Sequence, residues 1–192
     1  MILALLAATT QPVEAAERAF ASAAQTRGLW TAFRAFAAPD AIMLLDGPKP
    51  AAPFLAGRKD PRQALMWWPA RTVTSCDGTL ALSTGPYRTP DGASGGRYIT
   101  LWRHSADGWR WIYDGGTDEK NRPAADQVSA TRGKACRKPK WPLMEPDALA
   151  GGHSDDDSLR WRLDKADKGY RLRVFLNVGS GPMIEEDAIV GG

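Results

Sequence analysis

The sequence predicts an α+β fold in which helices back an antiparallel sheet, followed by a C-terminal β-hairpin extension. Apolar residues recur at helical spacing from Val13 to Phe36. The segments from Arg71 to Gly116 instead alternate apolar and polar residues, with the hairpin dipeptide Asp77-Gly78 and a second turn at Asp107-Gly108. Alternation returns after Ser158. Hydrophobic residues at 43% and charged residues at 24% are typical of a globular protein.

The helical region is predicted to hold two helices or one kinked helix, because Gly28 interrupts the apolar stripe. A short apolar strand, Ala41–Leu45, follows the turn at Pro39-Asp40. We expect a loop over Gly47–Ala56, which is rich in Pro and Ala. A third helix should begin at Asp60-Pro61, an N-cap followed by proline, and end near Trp67 or Trp68 before Pro69.

Four strands are predicted to follow as a meander. The four strands are Arg71–Cys76, Thr79–Thr84, Arg97–His104 and Trp109–Asp114, and the tip of the second hairpin lies between Tyr87 and Gly96. On the third strand, one face carries Tyr98, Thr100, Trp102 and His104.

The chain divides into four predicted parts. Residues 1–12 begin with a short apolar run that resembles a secretory segment, and residues 13–116 form the main domain. Residues 117–157 are polar and carry a basic run, as in a linker or arm. Residues 158–192 form a hairpin with strands Ser158–Asp164 and Gly169–Val178, which cannot be stable alone and must dock on the main sheet, on a partner subunit, or on both.

The two cysteines, Cys76 and Cys136, do not show metal-binding or redox spacing. In an oxidising compartment they could form one disulfide; the alternative is two reduced thiols. We expect an exported, periplasmic protein if the N-terminal run is a signal, and a cytoplasmic one if it is not. A net charge of +3 does not indicate nucleic-acid binding, and no apolar stretch is long enough to span a membrane.

The element order resembles that of the nuclear transport factor 2-like superfamily, which includes ketosteroid isomerases and SnoaL-like cyclases. The phrases that carry the resemblance lie in the first 116 residues. They are Phe36-Ala-Ala-Pro-Asp-Ala-Ile-Met-Leu-Leu45, Gly57-Arg-Lys-Asp-Pro61, Cys76-Asp-Gly-Thr-Leu80, Thr84-Gly-Pro86, Gly96-Arg-Tyr-Ile-Thr-Leu-Trp102 and Asp107-Gly-Trp-Arg-Trp-Ile-Tyr-Asp-Gly-Gly116. The resemblance implies a strongly curved sheet, a cone or half-barrel, with a deep pocket between its concave face and the helices.

The resemblance also implies where catalytic groups would lie. Isomerase-like members place a basic carboxylate at the end of the first strand, where this chain has Leu45, and Asp46 follows one residue later. His104 and Asp114 are the other weak catalytic candidates, His104 near a strand end and Asp114 at the end of the last strand. By simple alternation Asp114 lies on the opposite face from Trp109, Trp111 and Tyr113, and either face could line the pocket.

Eight tryptophans suit the walls of a pocket or an interface. The residues expected to bind a ligand are Trp30, Phe33, Trp67, Trp68, Trp102 and Tyr113. We expect the protein to bind a small apolar or aromatic ligand without catalysis and without a metal or cofactor. Two alternatives stay open: a small-molecule isomerase, dehydratase or cyclase that uses acid–base residues, and a scaffold module that forms a homodimer.

Overall fold

The computed structural model describes residues 11–117, 128–134, 136, 141 and 147–191. They form a mixed α+β structure, as predicted, with few helices and two sheets. The helices are α1 Val13–Arg27, α2 Leu29–Phe36 and α3 Ala51–Leu55. The strands are β1 Ala37–Leu44, β2 Pro48–Pro50, β3 Met66–Trp67, β4 Arg71–Thr74, β5 Leu80–Arg88, β6 Gly95–Ser105, β7 Gly108–Thr117, β8 Ser129–Arg132, β9 Ala150–His153, β10 Leu159–Lys165, β11 Tyr170–Asn177 and β12 Pro182–Val190.

The first sheet has eight strands and is mostly antiparallel. Its order is β2-β1-β7-β6-β5-β4-β8, with β3 pairing beside β4 on β5. The predicted meander is present as β4 to β7, in sequence order and antiparallel. Strand β1 joins the sheet parallel to β7, and β8 joins it parallel to β4.

The helix pair is broken at Gly28, as predicted, because the backbone there has a φ of 106°. Gly28 offers no side chain to cap α2, and Asp60 supplies the cap from a distant part of the chain. Its carboxylate accepts hydrogen bonds from the Thr31 amide at 3.0 Å and from the Thr31 hydroxyl at 2.6 Å. A Cβ at position 28 would collide with this carboxylate, so a second reason for glycine is the close approach of Asp60.

Two predictions about the segment between the helix pair and the meander are wrong. Asp60 does not begin a helix of its own: residues 58–65 are irregular, and Met66–Trp67 is a strand that pairs with β5. Conversely, the segment expected to be a loop contains β2 and α3. Tertiary contacts decide the first case, since the Asp60 carboxylate caps α2 and β3 pairs with β5. In the second case β2 pairs with β1.

A register shift in β7 determines which side chains face the helices. Trp111 pairs with Trp102, and Tyr113 pairs with Leu101, so Ile112 is the extra residue of a bulge. The bulge places Trp111 on the helix side, where its indole donates to the Phe33 carbonyl at 3.1 Å. The predicted grouping of Trp109, Trp111 and Tyr113 opposite Asp114 is therefore wrong.

The C-terminal part is a four-stranded sheet with the order β12-β11-β10-β9, not a hairpin alone. The predicted hairpin is present as β10 and β11. Sequence analysis missed β12, and it also missed β8 and β9, which lie in the segment read as a linker.

The second sheet packs on the face of the first sheet that is turned away from the helices. Tyr113 and Trp161 meet between the sheets, with ring centroids 5.8 Å apart. Two arginines of the first sheet, Arg71 and Arg97, bind the neighbouring acids Glu185 and Glu186 of β12. The Arg97–Glu186 pair is almost fully buried, with an N–O distance of 2.9 Å. Helices, first sheet and second sheet thus form three layers.

Two turns of the same construction join the sheets, and we call this pair the turn clasp (residues 75–80 and 154–159). Both turns read Ser-x-Asp-x-(Ser/Thr)-Leu. Each serine hydroxyl donates to the aspartate two residues later, at 2.6 Å to Asp77 and at 2.7 Å to Asp156. The second oxygen of each aspartate then accepts the backbone amide of the other aspartate, at 2.7 and 3.1 Å.

Cys76 and Cys136 lie at disulfide distance beside the turn clasp, with Cα atoms 5.2 Å apart, and no described cysteine is free. The sequence could not decide between a disulfide and two thiols. A disulfide is typical of proteins that mature in an oxidising compartment, so this pair points to an exported protein.

Removal of the disulfide is expected to lower the free energy of unfolding by about 4 kcal/mol. The cross-link closes a loop with a sequence separation of 60 residues, which restricts the unfolded chain. Urea unfolding of wild type, with and without reductant, measures the effect. Reductant should leave the double variant C76S/C136S unchanged. Two titratable thiols in the oxidised native protein would contradict the assignment.

Candidate functional site

A cavity of about 680 Å³ opens between α2, the end of β1 and the β3–β7 part of the first sheet. Volumes of this size are typical of sites for small molecules. Ile189 of β12 and Gly191, which follows that strand, form part of its wall. The described lining residues are Leu29, Trp30, Phe33, Met43, Leu44, Leu45, Asp46, Leu65, Trp67, Tyr87, Tyr98, Asp114, Gly115, Gly116, Thr117, Ile189 and Gly191.

An aromatic cluster forms the helix side of the cavity and continues into the core. Phe20 of α1 lies at its centre, with ring centroids 4.8 Å from Phe33, 4.9 Å from Trp67 and 5.9 Å from Trp102. Edge-to-face contacts of this kind fix the ring orientations. The wall of the cavity is therefore rigid and largely apolar.

Asp114 is the carboxyl group on the sheet side of the cavity. It lies on the helix face of β7, and its Oδ2 accepts a hydrogen bond from the Thr100 hydroxyl at 2.8 Å. Burial raises the pKa of Asp114 to about 7; the Thr100 hydrogen bond opposes the rise, and the charge of Glu17 adds to it. Near neutral pH this carboxyl can therefore either donate or accept a proton.

Glu17 of α1 is a second acid, fully buried behind the cavity wall. Its two oxygens accept hydrogen bonds from the indole N–H groups of Trp67 and Trp102, both at 2.9 Å. Burial raises the pKa of Glu17 to about 7, although these two hydrogen bonds and one from Ser83 favour its ionised form. The acid thus connects the helix layer to β3 and β6.

Tyr98 links the two acids. Its hydroxyl lies 3.0 Å from the Ser83 hydroxyl, and its ring lines the cavity. Burial raises the pKa of Tyr98, and the charges of Glu17 and Asp114 raise it further, so the phenol stays protonated. Asp114, Tyr98 and Glu17 form one electrostatically connected group, which we call the acid group.

The three catalytic candidates from the sequence occupy different places. Asp114 lines the cavity in the acid group. Asp46 lies at its rim with a side chain that is 79% exposed and pairs with Lys49 at 2.5 Å, which lowers its pKa. His104 packs edge-to-face on Trp109 near the end of β6 and is not among the described lining residues.

Only some of the residues expected to bind a ligand line the cavity. Trp30, Phe33 and Trp67 line the cavity. Trp102 is fully buried behind it, and fully buried Tyr113 lies on the opposite face, between the two sheets. Trp68 is half-buried, and its amide donates to the Pro86 carbonyl; it is not among the described lining residues.

Sequence reasoning missed Glu17, Tyr98 and Tyr87 as site residues. Glu17 follows Ala15 and Ala16 in the helical stripe and reads as an ordinary exposed helix residue. A signal was present, because position 17 falls three residues before Phe20 and seven before Ala24, on the apolar face of α1. An acid on the buried face of a helix requires partners, and the tryptophans supply them.

One set of potential metal ligands was found among the described residues: Cys76, Cys136 and Asp156, whose ligand atoms lie within 4.8 Å of one another. Both sulfurs are at disulfide distance, and disulfide sulfurs are not the thiolates that bind metals. This set therefore belongs to the surroundings of the turn clasp and not to the cavity.

No family model matches the chain, and no curated protein matches it. In the part of the chain that the structure describes, none of the helices is long and apolar enough to cross a membrane.

The variant D114N should lose less free energy of unfolding than wild type as the pH rises from about 4 to 7. The native-state pKa of about 7 exceeds the ordinary value of 3.8. The native state therefore holds more protons than the unfolded state in this window, and the free energy of unfolding falls as pH rises from about 4 to 7. We expect D114N to recover roughly 3 kcal/mol of that fall, because the group is half-buried and partly hydrated.

Urea unfolding between pH 4 and pH 8 measures this difference. D46N is the matched control, since Asp46 is exposed at the rim of the same cavity. The control should follow the wild-type curve above pH 5. If D114N and wild type fall in parallel, Asp114 does not carry the raised pKa.

Proposed function

We propose that this protein binds a small, largely apolar molecule in the cavity without transforming it. The observation that carries the proposal is an open cavity of about 680 Å³ with aromatic walls and a carboxyl group, Asp114, on its inner side. Apolar walls supply affinity, and a single buried polar group orients a ligand. A cavity of this volume argues against the scaffold alternative, which requires side chains to fill it.

We further propose that the chain is a divergent member of the nuclear transport factor 2-like superfamily. The support is the order of elements: a helix pair, a short strand that pairs with the last strand of a meander, and a pocket between meander and helices. A strongly curved, cone-like sheet is part of this proposal, and so is a homodimer.

The proposal places the protein outside the cytoplasm, most simply in a periplasm. The pair Cys76–Cys136 supports this location because structural disulfides persist in oxidising compartments. The apolar segment at residues 1–10, which carries the predicted export signal, lies outside the described residues.

Tryptophan fluorescence tests the binding proposal. Titration with a series of alkylbenzenes of increasing length should change the emission until the ligand exceeds the cavity. Trp30 lines the cavity, so W30F should reduce the change. Trp141 packs on Phe175 of the second sheet, so W141F should keep it. No response across the series would contradict binding, and an undiminished response in W30F would place it elsewhere.

Acid–base catalysis is a second candidate, favoured by the acid group. Burial raises the pKa values of Asp114 and Glu17 to about 7, and the charge of Glu17 adds to the rise at Asp114. Titratable groups tuned to neutral pH are common at sites of proton transfer. In this candidate Asp114 moves the proton, and the Tyr98 hydroxyl hydrogen-bonds the oxygen on which charge develops.

Exchange of the methyl hydrogens of acetophenone for deuterium in D2O tests proton transfer directly by NMR. Wild type should accelerate the exchange with a rate that rises through pH 7, where Asp114 loses its proton. D114N should abolish the acceleration, and D46N should retain it. Equal rates in wild type and D114N would rule out this candidate and leave the binding proposal intact.

A further inference from the structure

We propose that the ligand of the cavity is cationic: a small apolar body that carries an amine or quaternary ammonium group. This inference rests on the proposed binding function and adds the charge of the ligand to it. Three features carry it: Asp114 on the described lining with Glu17 buried behind it, the lack of cationic side chains in that lining, and its aromatic rings.

The charges around the cavity are unbalanced. Asp114 lines it, and Glu17 lies buried behind Trp67. None of the described lining residues is a lysine, arginine or histidine. The polar partners of Asp114 and Glu17 are neutral hydroxyl and indole groups, from Thr100, Ser83, Trp67 and Trp102. A buried carboxylate without a cation is costly, and a positively charged ligand would relieve that cost.

Three cations that neighbour cavity or acid-group residues, by contact or in sequence, have other partners. Lys49 pairs with Asp46 at the rim. Arg18 lies one residue from Glu17 in the chain, but it pairs with Glu14 on the exposed face of α1. Arg58 stacks on Phe54 and Trp30, with its guanidinium carbon 3.7 and 5.3 Å from the ring centroids. None of the three lines the cavity, so none compensates Asp114.

The rings that line the cavity suit a cation. Five aromatic residues line the same cavity as Asp114: Trp30, Phe33, Trp67, Tyr87 and Tyr98. Aromatic faces attract ammonium groups, and a ring of aromatic residues is a common binding site for quaternary ammonium ligands. Trp30 already accepts the guanidinium of Arg58 at 5.3 Å.

The same features disfavour the other ligand charges. An anionic ligand would add a third negative charge to Asp114 and Glu17 with no cation to receive it. A neutral alcohol could hydrogen-bond to Asp114 but would leave the imbalance in place. A cation would convert Asp114 to its ionised form, so binding near neutral pH should release a proton from the protein.

Three probes of matched size test the inference: 4-phenylbutylamine, 4-phenylbutanol and 4-phenylbutanoate, titrated into the full chain by calorimetry. Wild type should bind the amine about tenfold more tightly than the alcohol, and the carboxylate most weakly. At pH 6, titrations in phosphate and in Bis-Tris should give different enthalpies for the amine, because Asp114 releases a proton. The alcohol should give the same enthalpy in both buffers after correction.

Two variants locate the effect. D114N should lose both the preference for the amine and the proton release while still binding the alcohol. D46N should keep both, since its carboxylate is exposed at the rim. If D114N does not fold, the proton release of wild type tests the inference alone.

The negative results would overturn different proposals. Equal affinity for amine and alcohol, or tightest binding of the carboxylate, would overturn the cationic ligand and leave the binding proposal standing. No detectable binding of any probe or of the alkylbenzene series would overturn both.

Discussion

The hydrogen bonds between Glu17 and two indoles hold the helix layer on the sheet. The Glu17 carboxyl group of α1 accepts hydrogen bonds from the indoles of Trp67 in β3 and Trp102 in β6. Both strands pair with β5. Because Glu17 is fully buried, loss of either partner would leave a desolvated oxygen, so the three residues depend on one another. Phe20 then fills the space between the same tryptophans and Phe33. The cavity wall is therefore positioned by a polar interaction and completed by aromatic packing.

The bulge at Ile112 explains how a strand rich in tryptophan serves two layers. It lets Trp111 donate to the Phe33 carbonyl, while Tyr113 reaches Trp161 of the second sheet. Asp114, one residue later, faces the helices again and meets Thr100. A strand without the bulge would place Trp111 and Tyr113 on the same face. The bulge thus determines that the Asp114 carboxyl group, and not its neighbour Tyr113, faces the cavity.

Local signals predicted the helix break at Gly28, the meander and the hairpin of β10 and β11, because each depends on turn chemistry and periodicity. They failed where a distant residue decides the structure. Asp60 looks like the start of a helix, yet its carboxylate caps α2. Strand β12 was missed because Glu185 and Glu186 read as exposed, whereas Arg71 and Arg97 of the first sheet bind them.

In the candidate site, Asp114 and three of the aromatic residues were identified from sequence. Glu17 was not, since its partners lie 50 and 85 residues away.

The turn clasp has a property that is usually discussed for pairs of chains. Each turn offers the amide and the carboxylate of an aspartate, and each receives the same two groups from the other turn. Contacts in which both sides present the same surface are isologous, and they are the contacts by which two identical subunits form a two-fold dimer. The two turns differ at the residue with positive φ, which is Gly78 in one and Asp157 in the other. The Asp157 carboxylate accepts a hydrogen bond from Arg160 Nε at 2.6 Å. The chain thus satisfies within itself a self-complementary surface that a second copy would otherwise be able to recognise.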